Sequence, residues 1–468
     1  MNLRTVFTYA SGIGFGAILS LITLPILAWM FSSEDIGRVA LFQLSLSLIA
    51  VFFSFGLDQS YVRKFNEVSD TGALARACVA PGLLLLLFSI VIAFFYAEEI
   101  SFRVFGIKDL KLYIILCFSA VMLYLERFFS VFIRMKEMSF AYSMTRIFPK
   151  LLFLILVTGL FFFPEQKSFI TLSGMQGICW ALVVIIMIFF LNDKRASFKA
   201  DFFETRRLRE LINFGFPLMV SGLAFWGLNF IDRIMLKELS SLAQLGVYAV
   251  ASTLAGAAIL FQQIFTTMWH PVVYKWVSED SAKVKVRGVA DAVQVFSLLL
   301  ICLVALFAFL TGYFLPIEYA AVQFLLPACL VPPLCMMVTE VSGIGISISQ
   351  KTKFLPVITV ICMATNFSLN YFLIPQFGAG GASAATAISF FLYLVLKTEM
   401  SNFLWVTYSN IKFYGCSIIV VLLSVFGALY GNEYNKEVYI AWFVTLMICI
   451  FSYVVQIKQF YVFAKGRF

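Results

Sequence analysis

The feature that most constrains this chain is a regular succession of apolar segments, each long enough to cross a lipid bilayer. A membrane-spanning helix needs about 20 apolar residues, because the hydrocarbon core is about 30 Å thick and a helix rises about 1.5 Å per residue. Short polar connections separate the segments, and the pattern predicts an all-α polytopic membrane protein. The predicted spans are 7–30, 39–57, 79–96, 112–133, 144–163, 169–191, 214–236, 246–268, 290–313, 320–346, 354–374, 379–396, 412–430 and 438–457.

Composition supports the same class of protein. Of the 468 residues, 62% are hydrophobic and 13% are charged, whereas soluble domains are about half apolar and about one quarter charged. We predict about fourteen spans, with twelve as the alternative because the segment 379–396 is rich in Gly, Ala and Ser. The segment 7–30 is long enough to span, so we expect it to stay as the first helix and not to be removed as a signal peptide.

The distribution of Lys and Arg predicts the orientation, because positive charges favour cytoplasmic loops. With the amino terminus inside, 25 of the 34 Lys and Arg residues fall in cytoplasmic segments, 8 fall outside, and Arg127 lies within a span. We therefore expect both termini to be cytoplasmic. Cytoplasmic loops also explain the net charge of +9, which then gives no reason to expect a nucleic-acid partner.

A weak internal repeat indicates two related halves. The stretch SSEDIGRVALF from Ser32 and the stretch SSLAQLGVYAV from Ser240 each follow a long span, and their glycines Gly37 and Gly246 are 209 residues apart. Six spans separate the copies, so both copies face the same way and the repeat is parallel. The predicted division is a six-helix bundle in 1–191, a basic cytoplasmic linker in 192–213, a second six-helix bundle in 214–396 and two additional helices in 397–468.

The chain carries no sequence motif of a catalytic site. It has no nucleophile elbow, no H-E-x-x-H and no Walker A sequence. Its nine cysteines form no C-x-x-C pair and His270 is its only histidine, so neither a zinc site nor a disulfide framework is predicted. The sequence indicates a transporter without a metal or an organic cofactor.

Ionisable and polar residues within the spans are the candidate site residues, because a charge at the bilayer centre costs about 2.5–3.5 kcal/mol on insertion scales. Arg127 and Arg134 lie on one face of the fourth helix, next to Glu126. Glu340 lies in the tenth helix, where pairing or reversible protonation would relieve its desolvation, and it is the candidate for ion coupling. Polar residues at helical period lie in the seventh helix (Trp226, Asn229, Asp232, Arg233) and the eleventh helix (Asn366, Asn370).

The structural alternative is that these residues hold the bundle together through interhelical hydrogen bonds and an ion pair. It is the favoured interpretation for Asn366 and Asn370. Asp232 and Arg233 are expected close to the outer surface, and His270 is expected at the cytoplasmic interface.

Four stretches carry a resemblance to a known family. They are TLPILAWMFSSEDIGRVALF from Thr23, GLDQSYVRKFNE from Gly56, LNFIDRIML from Leu228 and IPQFGAGGASAATAIS from Ile374. They resemble the bacterial polysaccharide or O-antigen flippases, within the superfamily of multidrug and oligosaccharidyl-lipid exporters. The resemblance implies two six-helix bundles around a central cavity, with two extra C-terminal helices.

The resemblance also implies an activity. Such proteins move an undecaprenyl-pyrophosphate-linked oligosaccharide from the cytoplasmic to the periplasmic leaflet of the inner membrane, by alternating access driven by a proton or sodium gradient. The product would serve O-antigen, capsule or exopolysaccharide synthesis. The implied partners are this substrate, membrane lipid, a polysaccharide polymerase and a chain-length regulator.

Helix position alone assigns roles within this framework. Arg127 and Arg134 would meet the pyrophosphate, and Glu126 would pair with Arg127 or be displaced by substrate. Trp226, Asn229 and Asn366 would contact sugar, while the prenyl tail would stay in lipid.

Two alternatives remain open at the level of sequence. A drug antiporter of the same superfamily should have an acidic cavity in one half, whereas the clearest buried charge here is Arg127. A membrane polymerase or ligase typically carries a large periplasmic loop, whereas the longest outer segment, 97–111, is short.

Overall fold

The computed structural model describes residues 3–191, 205–278, 282–351, 353–405 and 411–454. Within these ranges the chain is helical and contains no strand. Two compact units are formed by residues 1–230 and 231–468. The helices up to the boundary are α1 (Leu3–Met30), α2 (Ser33–Ser54), α3 (Leu57–Lys64), α4 (Thr71–Ala93), α5 (Ala97–Phe105), α6 (Leu110–Met135), α7 (Ser139–Gly159), α8 (Phe169–Leu191) and α9 (Thr205–Leu239), which contains the boundary.

The second unit contains the helices that follow α9. Two of them are short: α13 lies between α12 and α14, and α15 lies between α14 and α16. The set is α10 (Leu242–Ala255), α11 (Ala257–Ser278), α12 (Ala282–Phe307), α13 (Thr311–Phe314), α14 (Val322–Ser342), α15 (Ile344–Ile348), α16 (Phe354–Phe377), α17 (Ala379–Leu404), α18 (Ile411–Tyr430) and α19 (Asn435–Ser452).

Twelve helical segments in the described part of the chain are long and apolar enough to cross a membrane. This confirms the predicted all-α, multi-pass membrane architecture. Each of the fourteen predicted spans coincides with helix, but two of these helices are not among the twelve: α9, and α1, whose apolar part is Gly14–Met30. The count of fourteen stays a prediction.

Burial separates the helices into central and lipid-facing ones. In the second unit, α14 and α17 are mostly buried, and the small residues at the start of α17 let its neighbours approach closely. In the first unit, α4 exposes large apolar side chains, among them Phe88 and Val91. Contiguous apolar exposure on this scale is expected of a surface that faces lipid.

A glycine contact fixes the corner between α2 and α3. Gly56 adopts φ +67°, and a Cβ there would lie 2.1 Å from the carbonyl oxygen of Gly215 in α9. Only glycine permits both this backbone conformation and this approach. One turn later the Ser60 hydroxyl donates to the Leu211 carbonyl at 2.8 Å, so α3 is held firmly against the first part of α9.

The two copies of the repeat have the same local structure. Ser32 Oγ accepts a hydrogen bond from the Asp35 N–H at 3.2 Å, and Ser241 Oγ accepts one from the Gln244 N–H at 3.2 Å. Each serine is therefore the N-cap of the helix that follows, and the two caps are separated by the same 209 residues as the glycines. Residues 192–204 of the predicted linker lie outside the described residues, so its role as a linker stays a prediction.

Candidate functional site

Three polar clusters lie among the apolar helices, each within a single unit. Helix direction assigns each cluster to one end of its unit. The predicted topology places the ends of α2, α6, α11, α14 and α17 and the starts of α7 and α9 on the cytoplasmic side, called here the inner end. The opposite end is the outer end.

The first cluster is the inner cluster of unit 1, formed by Asp58, Glu126, Arg127 and Arg146. Arg127 Nη2 in α6 donates to Asp58 Oδ2 in α3 at 2.9 Å. The Asp58 side chain is 3% exposed, whereas that of Arg127 is 34% exposed. Asp58 Oδ1 is buried and has no hydrogen-bond partner within the described part of the chain. The acidic partner of Arg127 is thus Asp58 and not the adjacent Glu126, because successive residues of a helix point in different directions.

Glu126 forms the second ion pair of this cluster. Its Oε1 lies 3.6 Å from Arg146 Nη1 in α7, and the side chains are 5% and 40% exposed. Arg146 Nη2 also donates to Ser130 Oγ at 3.0 Å. In both pairs a buried carboxylate therefore contacts an arginine whose side chain is partly exposed, and this exposed part is called its open edge below.

Two more cations extend the same faces. Lys150 is one turn beyond Arg146, and its Nζ lies 3.6 Å from the position that a Cβ of Gly16 would take. Arg134 is seven residues beyond Arg127 on the predicted common face of α6 and is exposed. The inner cluster of unit 1 therefore presents cations outward and holds Asp58 and Glu126 inside.

The second cluster is the Asp232 cluster, at the outer end of unit 2. Asp232 Oδ2 accepts hydrogen bonds from Tyr248 Oη at 2.8 Å and Thr386 Oγ1 at 2.6 Å. Asp232 Oδ1 accepts one from Asn370 Nδ2 at 2.6 Å. Asn370 Nδ2 also lies 3.0 Å from Asn366 Oδ1. All five side chains are buried, and they come from α9, α10, α16 and α17.

Oxygen atoms dominate this cluster. Asn370 Oδ1 is buried and finds no hydrogen-bond partner among the residues that the structure describes, and Thr386 Oγ1 lies 2.9 Å from the Ala382 carbonyl oxygen. The single hydroxyl proton of Thr386 can serve either Asp232 or Ala382. The cluster thus has more oxygen acceptors than protons to satisfy them, which is the donor set that a hard cation takes.

Three of the predicted substrate contacts belong to this buried cluster. Asp232, Asn366 and Asn370 are fully buried and bonded to one another, so in this conformation they leave no surface for a sugar. Asp232 lies near the ends of its helices, as expected, but is covered by them. Arg233, the next residue of α9, is only partly buried.

The third cluster is the Glu340 triad, at the inner end of unit 2. Glu340 lies in the last turn of α14. Its Oε2 is 3.1 Å from His270 Nε2 in α11, and its Oε1 is 3.7 Å from Lys397 Nζ in α17. The sequence recognised Glu340 and His270 separately and did not predict their contact. Pairing, one of the two ways expected to relieve desolvation of Glu340, is present.

Trp226 lies within unit 1, where its Nε1 donates to Ser47 Oγ at 2.9 Å. Asn229 is a residue of α9 whose side chain falls outside the described part of the structure. Among the described residues, no group of three His, Cys, Asp or Glu side chains is placed to hold a metal ion. The cation donor set of the Asp232 cluster consists instead of one carboxylate with amide, hydroxyl and carbonyl oxygens.

Comparison with known proteins agrees with this architecture. Residues 3–277 match the family model described as polysaccharide biosynthesis protein. A probable low-salt glycan biosynthesis flippase of Haloferax volcanii is 23% identical over 434 residues, which cover 89% of this chain and 87% of the relative.

Two solved structures share the fold. The lipid II flippase MurJ in an inward closed conformation has a TM-score of 0.70 at 15% identity, covering 97% of this chain and 98% of its own. A multidrug resistance MATE family transporter in an inward-facing conformation has a TM-score of 0.57 at 15% identity, covering 86% and 94%. The family model matches more than half of the chain, and the chain therefore belongs to the polysaccharide biosynthesis protein family and has the fold of the MOP superfamily transporters.

Proposed function

We propose that this protein is a transporter that flips an undecaprenyl-pyrophosphate-linked oligosaccharide from the cytoplasmic to the periplasmic leaflet of the bacterial inner membrane. Membership of the polysaccharide biosynthesis protein family and the similarity to a probable glycan biosynthesis flippase support this activity. In the proposed orientation both termini are cytoplasmic, and the substrate serves O-antigen, capsule or exopolysaccharide synthesis. A polymerase and a chain-length regulator are the proposed partners that use it.

The inner cluster of unit 1 is the observation that carries the proposal. A pyrophosphate cannot be solvated by hydrocarbon, so a flippase needs cations along an intramembrane path. Guanidinium groups suit this task because they bind phosphate oxygens through two parallel N–H donors. Arg127 and Arg146 each keep an open edge of the guanidinium for such an anion.

The buried carboxylates have a defined part in this proposal. Asp58 and Glu126 hold the two guanidiniums in position before substrate arrives, which reduces the ordering that binding must impose. Each ion pair is neutral, and the additional cations Lys150 and Arg134 supply the net positive charge that a pyrophosphate needs. Trp226 and Asn229 remain proposed sugar contacts.

We place the driving cation at the Asp232 cluster. The fit rests on Asp232 and on the unpartnered oxygen of Asn370, because carboxylate, amide and carbonyl oxygens are the ligands of hard cations such as sodium. When bound, the cation would neutralise Asp232 and join four helices of unit 2. Asn366 and Thr386 would then be cation ligands and not sugar contacts.

The proposal is tested in a strain that lacks the gene, by lectin accessibility of undecaprenyl-linked oligosaccharide in spheroplasts. Wild-type protein should move the oligosaccharide to the periplasmic face. The double variant Asp58→Asn, Arg127→Gln should reach the membrane at a normal level and fail to do so, because it loses the guanidinium without leaving an unpaired buried charge.

The matched control is the exposed ion pair of α5. Arg103 Nε lies 2.8 Å from Glu99 Oε1, and the side chains are 77% and 47% exposed. The double variant Glu99→Gln, Arg103→Gln should complement fully. Normal surface polysaccharide with the Asp58, Arg127 double variant would overturn the assignment of the cluster.

One other function has support. The shared fold with a multidrug resistance transporter makes an organic-cation antiporter the second candidate. The open edges in the inner cluster of unit 1 are cationic, and cations repel organic cations, so the flippase is favoured. Altered drug sensitivity with normal polysaccharide in the deletion strain would reverse this preference.

A further inference from the structure

The Glu340 triad joins three helices at the inner end of unit 2, and the three are not equally fixed. The helices α14 and α17 are tied to each other there. Ser342 and Thr398 share a hydrogen bond between their hydroxyls at 2.7 Å, and Ser401 Oγ accepts one from the Gly345 N–H at 3.0 Å. Both contacts lie within two turns of Glu340, so α14 and α17 present one firm surface.

Lys397 belongs to that firm surface. Its stem fills the space beside Gly343, where a Cβ would lie 2.7 Å from Lys397 Cγ and Cε. Gly343 is the residue between α14 and α15, so the helix break makes room for the lysine. Lys397 Nζ then lies 3.7 Å from Glu340 Oε1 and donates to Thr339 Oγ1 at 3.4 Å.

The third helix, α11, has two positions at which the backbone can bend. The single residue Gly256 separates it from α10, and glycine is the residue with the greatest backbone freedom. Pro271 lies inside α11 and lacks the N–H that would continue the helical ladder. The inner part of α11 is joined to α14 by the His270 contact and by Trp269 Nε1, which donates to the Glu340 carbonyl at 3.0 Å.

We propose that His270 and Glu340 form a proton-binding site that controls the docking of α11 on the pair α14 and α17. The proposal rests on the flippase function above and adds the point at which a proton acts in its cycle. Histidine changes its charge between about pH 5 and pH 8. With its Nε2 protonated, neutral His270 donates a hydrogen bond to the Glu340 carboxylate, whereas positively charged His270 adds an ion pair to that bond and so strengthens it.

The charged and titratable groups around His270 decide whether its protonation strengthens or weakens the docking of α11. From α14 the facing acid is Glu340, from α17 the facing cation is Lys397, and on α11 the Tyr274 ring lies 6.3 Å from the His270 ring. From α12, Lys285 lies over the ring of Trp276, which is six residues beyond His270 in α11. Glu340 is the nearest charge, so protonation tightens the docking of α11, while Lys397 reduces the gain by repulsion.

Hydrogen exchange of the purified full-length protein in nanodiscs tests the site without any substrate. Exchange of the α11 backbone is compared at pH 5.5 and pH 8.0, after correction for intrinsic rates, with α6 in the same sample as reference. The gain from adding an ion pair in this partly exposed contact predicts up to about fivefold slower exchange of α11 at the lower pH. The α6 segment should show no such change.

Two variants decide the interpretation. His270→Gln keeps a neutral donor toward Glu340 and should abolish the pH difference, with α11 remaining as at high pH. Tyr274→Phe, on the same helix, should retain the wild-type difference. An unchanged pH difference in His270→Gln, or none in the wild type, overturns the proton site.

Flipping in proteoliposomes separates this proposal from the proposed function. If the wild type flips lipid-linked oligosaccharide, its rate should depend on the inner pH and that of His270→Gln should not. If the wild type does not flip, the proposed function is wrong, and the exchange result still decides whether protonation docks α11.

Discussion

The ion pair between Asp58 and Arg127 predicts an asymmetric double-mutant cycle. Removing one partner of a buried pair costs about 3–5 kcal/mol, because the other charge stays buried without compensation. The two partners differ in exposure, at 3% for Asp58 and 34% for Arg127. The cost therefore depends on which charge is left behind.

The magnitudes follow from that difference. Arg127→Gln leaves the buried Asp58 carboxylate, which among the described residues retains the amide of Gln59 at 3.0 Å as its side-chain donor, and should lower the free energy of unfolding by about 3 kcal/mol. Asp58→Asn leaves a guanidinium with an open edge and should cost about 1 kcal/mol. The double variant should also cost about 1 kcal/mol, since neither charge remains.

Unfolding by SDS in mixed micelles, followed by pulse proteolysis, measures these differences on purified protein. The expected coupling energy, the amount by which the double variant is more stable than the sum of the single changes, is about 3 kcal/mol. Equal costs for the two single variants, or costs that simply add, would refute the burial argument. The exposed pair Glu99 and Arg103 should give a coupling below about 1 kcal/mol.

Three further predictions concern other elements. Gly56→Ala should lose most folded protein in a detergent-extraction assay, because a Cβ would lie 2.1 Å from a backbone oxygen at φ +67°, whereas Gly14→Ala, whose Cβ would meet none of the described atoms within 4 Å, should be tolerated. Asp232→Asn should lose the thermal stabilisation that sodium gives the wild type, relative to potassium, and a retained sodium effect would argue against the cation site. Ser32→Ala and Ser241→Ala should each cost about 1 kcal/mol as lost N-caps, and a much larger cost in either would show that the two turns are not equivalent.

The fold could be predicted largely from sequence because lipid imposes a simple rule. Every span must be apolar and helical, so apolar runs locate the helices without any knowledge of packing. The repeat was visible for a related reason, since an N-cap requires a particular residue at a particular position. Ser32 and Ser241 therefore appear at the same offset as the glycines that follow them.

The site could be predicted only in part, because helical period describes one helix at a time. Arg127 was found as an isolated charge, but its partner Asp58 is 69 residues earlier in the short helix α3, which the pattern of long spans does not detect. Arg146 lies at the start of the predicted span 144–163 and was not among the candidate site residues. Tyr248 and Thr386 were hidden in apolar or small-residue runs, and only tertiary packing shows that they face Asp232.

The charges at the two ends of unit 2 favour different ions. At the outer end, Tyr248, Asn370 and Thr386 are the neutral donors to Asp232, so the proposed ligands carry one negative charge, and the cationic Arg233 is the next residue of α9. At the inner end, Glu340 already faces Lys397 and the imidazole of His270, so a metal ion would be repelled by the lysine and would find no cage of oxygens. A proton on His270 does not need a cage of oxygens, because it requires only one lone pair and a nearby carboxylate.

We therefore expect sodium and pH to act separately, with Asp232→Asn removing the effect of sodium but not that of pH, and His270→Gln removing the effect of pH but not that of sodium. Loss of both effects in either variant would mean that the two ends of unit 2 respond as one site.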